Sequence, residues 1–255
     1  MKQAWVRWLL PLGILVLWQI AVDSGRWSSY VLPSPMDVID SGWQLIRDGT
    51  LLIHIGVSLG RVAVGFLLAA ATAVPLAIVI GLWEPAYRVL GGTIEFFRHV
   101  PPLALLPLLI LWLGIGEASK TAVVFLATFY PIFLNALTGV RCTDAKLLEM
   151  GRQYGLSSWQ CVRRIRLPYA VPYIYTGLRI GLGYSWRSLI GAEMIAAASG
   201  VGYLVLDAQA MAKSASVIVG VVVIGVCGSV MDYGGRQLGR RLLYRYLGGD
   251  KDGVA

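Results

Sequence analysis

Long apolar runs alternate along this chain with short polar connections. Residues 62–83 carry no charge over 22 positions, residues 121–140 none over 20, and residues 214–231 none over 18. Apolar runs of about 18 residues or more are long enough, at about 1.5 Å rise per residue, to cross the hydrocarbon of a bilayer as helices. Three further segments are apolar but interrupted: 8–22 by Gln19, 90–116 by Glu95, Arg98 and His99, and 171–198 by Arg179, Arg187 and Glu193. The pattern predicts an all-α integral membrane protein with six spans and both termini on one side. It forms one domain, residues 1–255, with a polar insert at 141–170.

Two polar stretches carry their own periodicity. After the extended Leu32-Pro33-Ser34-Pro35, residues 36–47 predict an amphipathic helix with Val38, Ile39, Trp43 and Ile46 on one side. Such a helix lies on the outer surface or prolongs the second span, and the pattern does not decide between them. In the insert, residues 145–154 predict a short helix ended by Gly155, which suits a left-handed cap. Ser157 or Ser158 then caps a second helix bearing Trp159, Val162 and Ile165, and Pro168 restarts the path into the membrane. An exposed helix with aromatic, aliphatic and basic positions suits docking into a groove on a partner protein. A self-packed loop held to anionic lipid by its arginines is the other reading.

Proline and glycine qualify the spans. Pro101, Pro102 and Pro107 each remove a backbone donor from the third span, so it either lies inside the protein or along a water-filled path or is an ordinary packing helix kinked by proline. Gly114-Ile115-Gly116 predicts a tight turn, and Gly177, Gly181 and Gly183 suit close helix packing.

Composition and charge narrow the function. The chain is 57% hydrophobic and 14% charged, where a soluble domain carries about a quarter charged residues. With a cytoplasmic N-terminus, fifteen of the 22 Lys and Arg fall on inner segments, among them Lys2, Arg7, Arg141, Arg163, Arg164, Arg245 and Lys251. Four fall on outer segments: Arg26, Arg47, Lys120 and Lys213. The positive-inside rule then puts both termini in the cytoplasm. This asymmetry accounts for the net charge of +8 without nucleic-acid binding. Residues 8–22 read as an uncleaved anchor, since no small-x-small cleavage pattern follows. Cys142, Cys161 and Cys227 make no disulfide framework, His54 and His99 are isolated, and no metal site is expected. No Ser/His/Asp set or carboxylate pair points to an enzyme, and no G-x-x-x-x-G-K-[ST] phosphate loop is present.

Glu149, Gly155, Ile165, Leu167 and Pro168 match the spacing of the E-A-A-x3-G-x9-I-x-L-P signature of ATP-binding-cassette (ABC) importer permeases. Met150 and Gly151 stand where that pattern has alanines. Leu32–Pro35, residues 100–107, residues 113–117, residues 176–179 and residues 200–204 extend the similarity over most of the chain. The chain resembles the aliphatic-sulfonate, taurine and nitrate branch, with sulfonate permeases nearest.

This resemblance implies a type I (MetI-like) importer permease of the inner membrane. Two copies would pair around a central path, with two ATP-binding subunits inside and a solute-binding protein outside. The insert would be the coupling element, with Glu149, Gly155, Leu156, Ser157, Ser158, Trp159, Leu167 and Pro168 in transmission. Glu149 either braces the insert by an internal ion pair or touches the ATPase. ATP and magnesium would reside on the partner, leaving this chain without a cofactor. Arg187, nearest mid-span, leads the candidates for contact with an anionic solute, followed by Glu193, Pro101 and Pro102, since ionisable groups in spans face protein or water. Arg61 and Arg179, nearer span ends, suit snorkelling or packing. Taurine, nitrate and vitamin precursors are alternative solutes, and an ATP-independent transporter or channel is the alternative mechanism.

Overall fold

The computed structural model describes the backbone of residues 4–243 and the side chains of residues 9–241, except Glu95. Lys2, Arg245, Lys251 and the side chain of Arg7, which entered the charge count, lie outside the described residues. In chain order the helices are α1 Ala4–Asp23, α2 Pro35–Arg47, α3 Thr50–Leu82, α4 Glu84–Arg98, α5 Leu106–Leu113, α6 Glu117–Arg141, α7 Ala145–Gln153, α8 Ser158–Cys161, α9 Leu167–Ala196, α10 Val201–Ala210 and α11 Ser214–Leu243. A 3-10 turn, Pro102–Leu105, precedes α5, and a π-helical turn, Val162–Arg166, joins α8 to α9.

Helices α3, α6 and α11 are long and apolar enough to cross a membrane, and α9 with α10 makes a fourth when counted as one bent span. Leu9–Asp23 and Pro102–Leu113 are shorter apolar helices. The segment at 90–116 differs from the expected single span. Its first part belongs to α4, and the chain leaves helix at His99. Pro101 is extended, with φ −65° and ψ 122°, because the ring of Pro102 disfavours the helical region for the residue before it. Pro102 and Pro107 then open the 3-10 turn and α5, where a missing N–H costs no hydrogen bond. These prolines start helices rather than kink one. Gly114, at φ +81°, makes the expected turn into α6.

The contacts form two compact units, one of residues up to Ser58 with Glu193–Val226, the other of Leu59–Ala192 with residues from Cys227. In the first unit, Ser34 and Asp37 form a capping box that starts α2. Gly49, at φ +73°, separates α2 from α3, so α2 is a helix of its own. Val38 and Leu45 pack against Leu51, Leu204 and Val219, and Gly42 faces Val219. This packed stripe replaces the expected one: Val38 belongs to it, whereas Ile39, Trp43 and Ile46 are exposed. α2 carries two adjacent apolar stripes, and helical periodicity does not say which one meets protein.

In the second unit, α6 is buried along its length. Ala73, Ala77 and Ile80 of α3 pack against Ile132, Phe133, Ala136 and Leu137 of α6. Glycines set the spacing on both sides. A Cβ at Gly65 of α3 would lie 2.5 Å from Val124 Cγ1, and one at Gly177 of α9 would lie 2.9 Å from Asn135 Cβ and 3.1 Å from Ile132 Cα. Gly181 meets Ile132 and Thr128 in the same way, while Gly183 faces open space. Only two of the three glycines expected to pack do so. Gly177→Leu should cost about 1–3 kcal/mol by overpacking, lowering Tm in detergent by several degrees. Gly183→Ala should leave Tm equal or raised. Equal Tm for Gly177→Leu and wild type would contradict the close α6–α9 approach.

Candidate functional site

The insert is a helical hairpin with its own small core. Asp144 caps α7, its Oδ1 accepting from the Lys146 N–H at 2.9 Å. At the other end the Leu156 N–H donates to the Gly151 carbonyl and the Gly155 N–H to that of Arg152, both at 3.0 Å. This paired closure needs a left-handed residue after the cap, and Gly155 sits at φ +78°. Of the two candidate serines, Ser157 is the cap. Its hydroxyl accepts from the Gln160 N–H at 3.3 Å, and Gln160 Oε1 accepts from the Ser157 N–H at 2.8 Å.

The path after α8 differs from the expected restart at Pro168. Helix continues through the π turn, with the Leu167 N–H donating to the Val162 carbonyl. The wide turn contains Arg164, four residues before Pro168, whose ring and missing N–H an ordinary helical turn would not admit.

Packing inside the hairpin explains one departure from the signature. Gly151 is buried, and a Cβ there would fall 2.6 Å from Ile165 Cδ1 and 3.4 Å from Cys161 Sγ and Leu156 Cδ1. With its interior closed, the hairpin presents Leu147, Met150, Tyr154 and Trp159 outward, the last two 82% and 67% exposed. Glu149 is exposed and forms no ion pair among the described residues. Arg141, at the base of the hairpin, donates to Glu84 Oε2 at 2.8 Å and stacks 3.5 Å from the Tyr87 ring centroid. The Arg141 hydrogen bond holds the Glu84 carboxyl below the usual carboxylate range.

The span charges have distinct settings. Arg61, 5% exposed, makes two 2.6 Å hydrogen bonds to Glu117, which also accepts from Lys120 at 3.1 Å. Arg179 pairs with Asp232 at 3.2 Å. Glu193 is fully buried. The Ser58 hydroxyl reaches both its oxygens, at 2.8 and 2.9 Å, and the Gly202 N–H donates to it at 3.0 Å. Val201 N–H donates to Ser58 Oγ and Gly200 N–H to His54 Nδ1, each at 2.9 Å. A Cβ on Gly200, at φ +113°, would strike the Glu193 carboxylate at 2.2 Å. Glu193 thus holds the loop between α9 and α10, a role that motif spacing did not suggest.

Arg187 is exposed on α9, three residues beyond exposed Tyr184. Tyr184 also lines a cleft of about 290 Å³, with Arg98, Pro102, Tyr130, Asn135 and Ile180 among its walls. The structure brings Pro102 of the expected path to this cleft, and Pro101 stands exposed beside it in the chain. Arg98, Tyr130, Asn135 and Tyr184 went unnoticed as a group because they lie on three separate helices. Among the described residues, no three His, Cys, Asp or Glu side chains converge as a metal site requires.

Residues 55–244 match the family described as the binding-protein-dependent transport system inner membrane component. The chain belongs to this family. The permease is 39% identical over 233 residues to the putative aliphatic sulfonates transport permease protein SsuC of Escherichia coli (strain K12), covering 91% of this chain and 89% of that protein. It is 36% identical over 234 residues to the taurine transport system permease protein TauC of the same organism, covering 90% and 85%. It is 36% identical over 228 residues to the nitrate import permease protein NrtB of Synechocystis sp. (strain PCC 6803), covering 86% and 82%. The permease has the all-α, type I (MetI-like) importer fold and is the transport component of an ABC importer in the sulfonate, taurine and nitrate branch, not an enzyme. Membership implies an ATP-hydrolysing partner and a solute-binding partner, and a multi-pass place in the inner membrane.

The Glu84–Arg141 pair at the hairpin base should respond to acid. A carboxyl whose folded pKa is depressed contributes stability above its unfolded pKa and loses it as pH falls through the folded value. The Tm difference between wild type and Glu84→Gln should shrink as pH is lowered through and below the glutamate range. A difference independent of pH would show that the ion pair is not its source.

Proposed function

We propose that this permease carries a small organic anion, an aliphatic sulfonate, inward across the membrane, powered by an ATP-hydrolysing subunit that docks on the insert. The observation that carries the coupling half is the outward face of the hairpin. A self-packed pair of short helices leaves Leu147, Met150, Tyr154 and Trp159 exposed. Aromatic anchors on a rigid helical element are what groove docking uses. Trp159 and Glu149 would meet the partner, while Gly155, Leu156, Ser157 and Ser158 hold the hairpin's shape. Leu167 and Pro168 pass its displacement into α9. The similarity to SsuC supports the sulfonate, with taurine and nitrate as the nearest other solutes.

Transport requires two states with different affinities for nucleotide and solute. Closure of two ATP-bound partners would draw the hairpins of two paired permease copies together, and hydrolysis would let them part. ATP and magnesium belong to those partners. A binding protein on the outer side would deliver the solute, with both permease termini in the cytoplasm. Arg187, on the exposed stripe of α9 with Tyr184, and Pro101 and Pro102 would border the solute's route, while Glu193 would steady the loop between α9 and α10.

Truncation of an interface anchor typically costs about 2 kcal/mol or more, roughly thirtyfold in affinity. Tyr154→Ala combined with Trp159→Ala should abolish co-purification of the ATPase subunit and binding-protein-stimulated ATP hydrolysis. Tm of the permease alone should stay near wild type, because both side chains are exposed. Full co-purification and stimulated hydrolysis in the double variant would sink the docking role.

A further inference from the structure

We propose that α2 lies along the boundary between headgroups and acyl chains of the bilayer, at the membrane face where α3 and α11 begin, with Met36, Ile39, Trp43 and Ile46 seated in lipid.

The inference starts from the three faces of α2. At about 100° of rotation per residue, Val38, Ser41, Gly42 and Leu45 fall on one face, and all four are half-buried. Val38 and Leu45 pack against Leu51, Leu204 and Val219, and the Ser41 and Ser216 hydroxyls share a 2.9 Å hydrogen bond. Asp37, Asp40, Gln44 and Arg47 fall on a second face and are exposed. Met36, Ile39, Trp43 and Ile46 fall on the third, where they are 44–62% exposed. The three faces are centred about 120° apart. Protein covers the first and water suits the second. The third needs an apolar neighbour, the division expected of a helix lying in the plane of a membrane interface.

Position identifies that neighbour. The packed face reaches α11 at Ser216 and Val219, in the opening turns of a run without charge from residue 214 to 231. Such a run marks where the chain enters hydrocarbon. The same face reaches α3 at Leu51, and the next two residues, Leu52 and Ile53, stand exposed. The loop before α2 is held at this level by the Ser214 hydroxyl, which donates to the Tyr30 carbonyl, and Trp27 and Tyr30 are exposed there. Tryptophan and tyrosine favour the headgroup level, where one part of the ring is apolar and the other wet. The apolar stripe of α2 therefore stands where the spans enter lipid.

The polar face and the helix end carry Asp37, Asp40 and Asp48 against Arg47. Basic amphipathic helices are drawn to anionic lipid by charge. α2 has the opposite balance, so its seat depends on the apolar stripe and is the same on zwitterionic lipid.

The test is nitroxide accessibility, by electron paramagnetic resonance, in proteoliposomes of the full permease carrying Cys142→Ser, Cys161→Ala and Cys227→Ala and one introduced cysteine at a time. Labels at Ile39→Cys and Trp43→Cys should collide with oxygen more, and with a water-soluble nickel chelate severalfold less, than labels at Asp40→Cys and Gln44→Cys. The contrast should be equal in phosphatidylcholine alone and with phosphatidylglycerol added. In the permease with its own cysteines, Trp43→Phe should reduce the emission quenched by lipid brominated near the headgroup. Nickel accessibility at 39 and 43 equal to that at 40 and 44 would put the stripe in water and overturn the proposal. Low accessibility to both probes would assign the stripe to a protein contact, with spin–spin broadening if that protein is a second permease copy, and would overturn it equally. A contrast that needs phosphatidylglycerol, or quenching unchanged in Trp43→Phe, would do the same.

Discussion

The seating of α6 between glycines is the constraint from which much of this permease follows. In an apolar solvent, burying apolar side chains between helices brings little hydrophobic gain, so association depends on close packing. Gly65 of α3 admits Val124, and Gly177 and Gly181 of α9 admit Ile132 and Asn135. Near its Arg141 end, Gly81 of α3 faces Val140, and Gly139 of α6 itself lies against Tyr173 of α9. A side chain at any of these positions would meet its neighbour at or below about 3 Å. The helix held this way bears Tyr130 and Asn135 on one stretch and ends in Arg141, the base of the insert. One element therefore carries both a wall of the cleft and the root of the hairpin.

The hairpin solves a different problem. Outside the long helices, the insert at 141–170 must be held by its own short-range contacts. Stiffness comes from local closure: Asp144 at one helix start, the two cap bonds around Gly155, the Ser157–Gln160 box, and the Gly151–Ile165 contact. Each satisfies backbone groups that helix ends otherwise leave open. Because the interior is filled by Leu156, Cys161 and Ile165, the large aromatics Tyr154 and Trp159 are left for another surface. The π turn then carries the hairpin into α9 without a loop, giving a continuous helical path from the exposed aromatic face into α9.

Charge is handled according to depth of burial. Arg61 and Lys120 are both buried and share Glu117, whose carboxylate reaches solvent. Glu193, fully buried, accepts from the Ser58 hydroxyl and the Gly202 N–H. These groups hold helices and loops in place. Arg187, by contrast, stands exposed on α9.

Much of this was legible before any coordinates. Uncharged runs identify the long spans, and Gly155 and the pair Ser157 and Ser158 mark helix ends because capping is decided within four or five residues. The signature around Glu149 names the family. What the chain order concealed was decided by packing. Val38 rather than Ile39 and Trp43 meets the core, since a helix with two apolar stripes has no local preference between them. The third apolar segment splits because Pro102 acts on the conformation of Pro101. Ser58 finds Glu193 across 135 residues, and the cleft gathers side chains from α4, α6 and α9. By itself the sequence determined the class, the capped helix ends of the insert and the family signature, which depend on short-range periodicity and hydrogen bonding. Only the tertiary structure decided which polar groups meet and which surfaces stay open, because those depend on how closely distant helices approach.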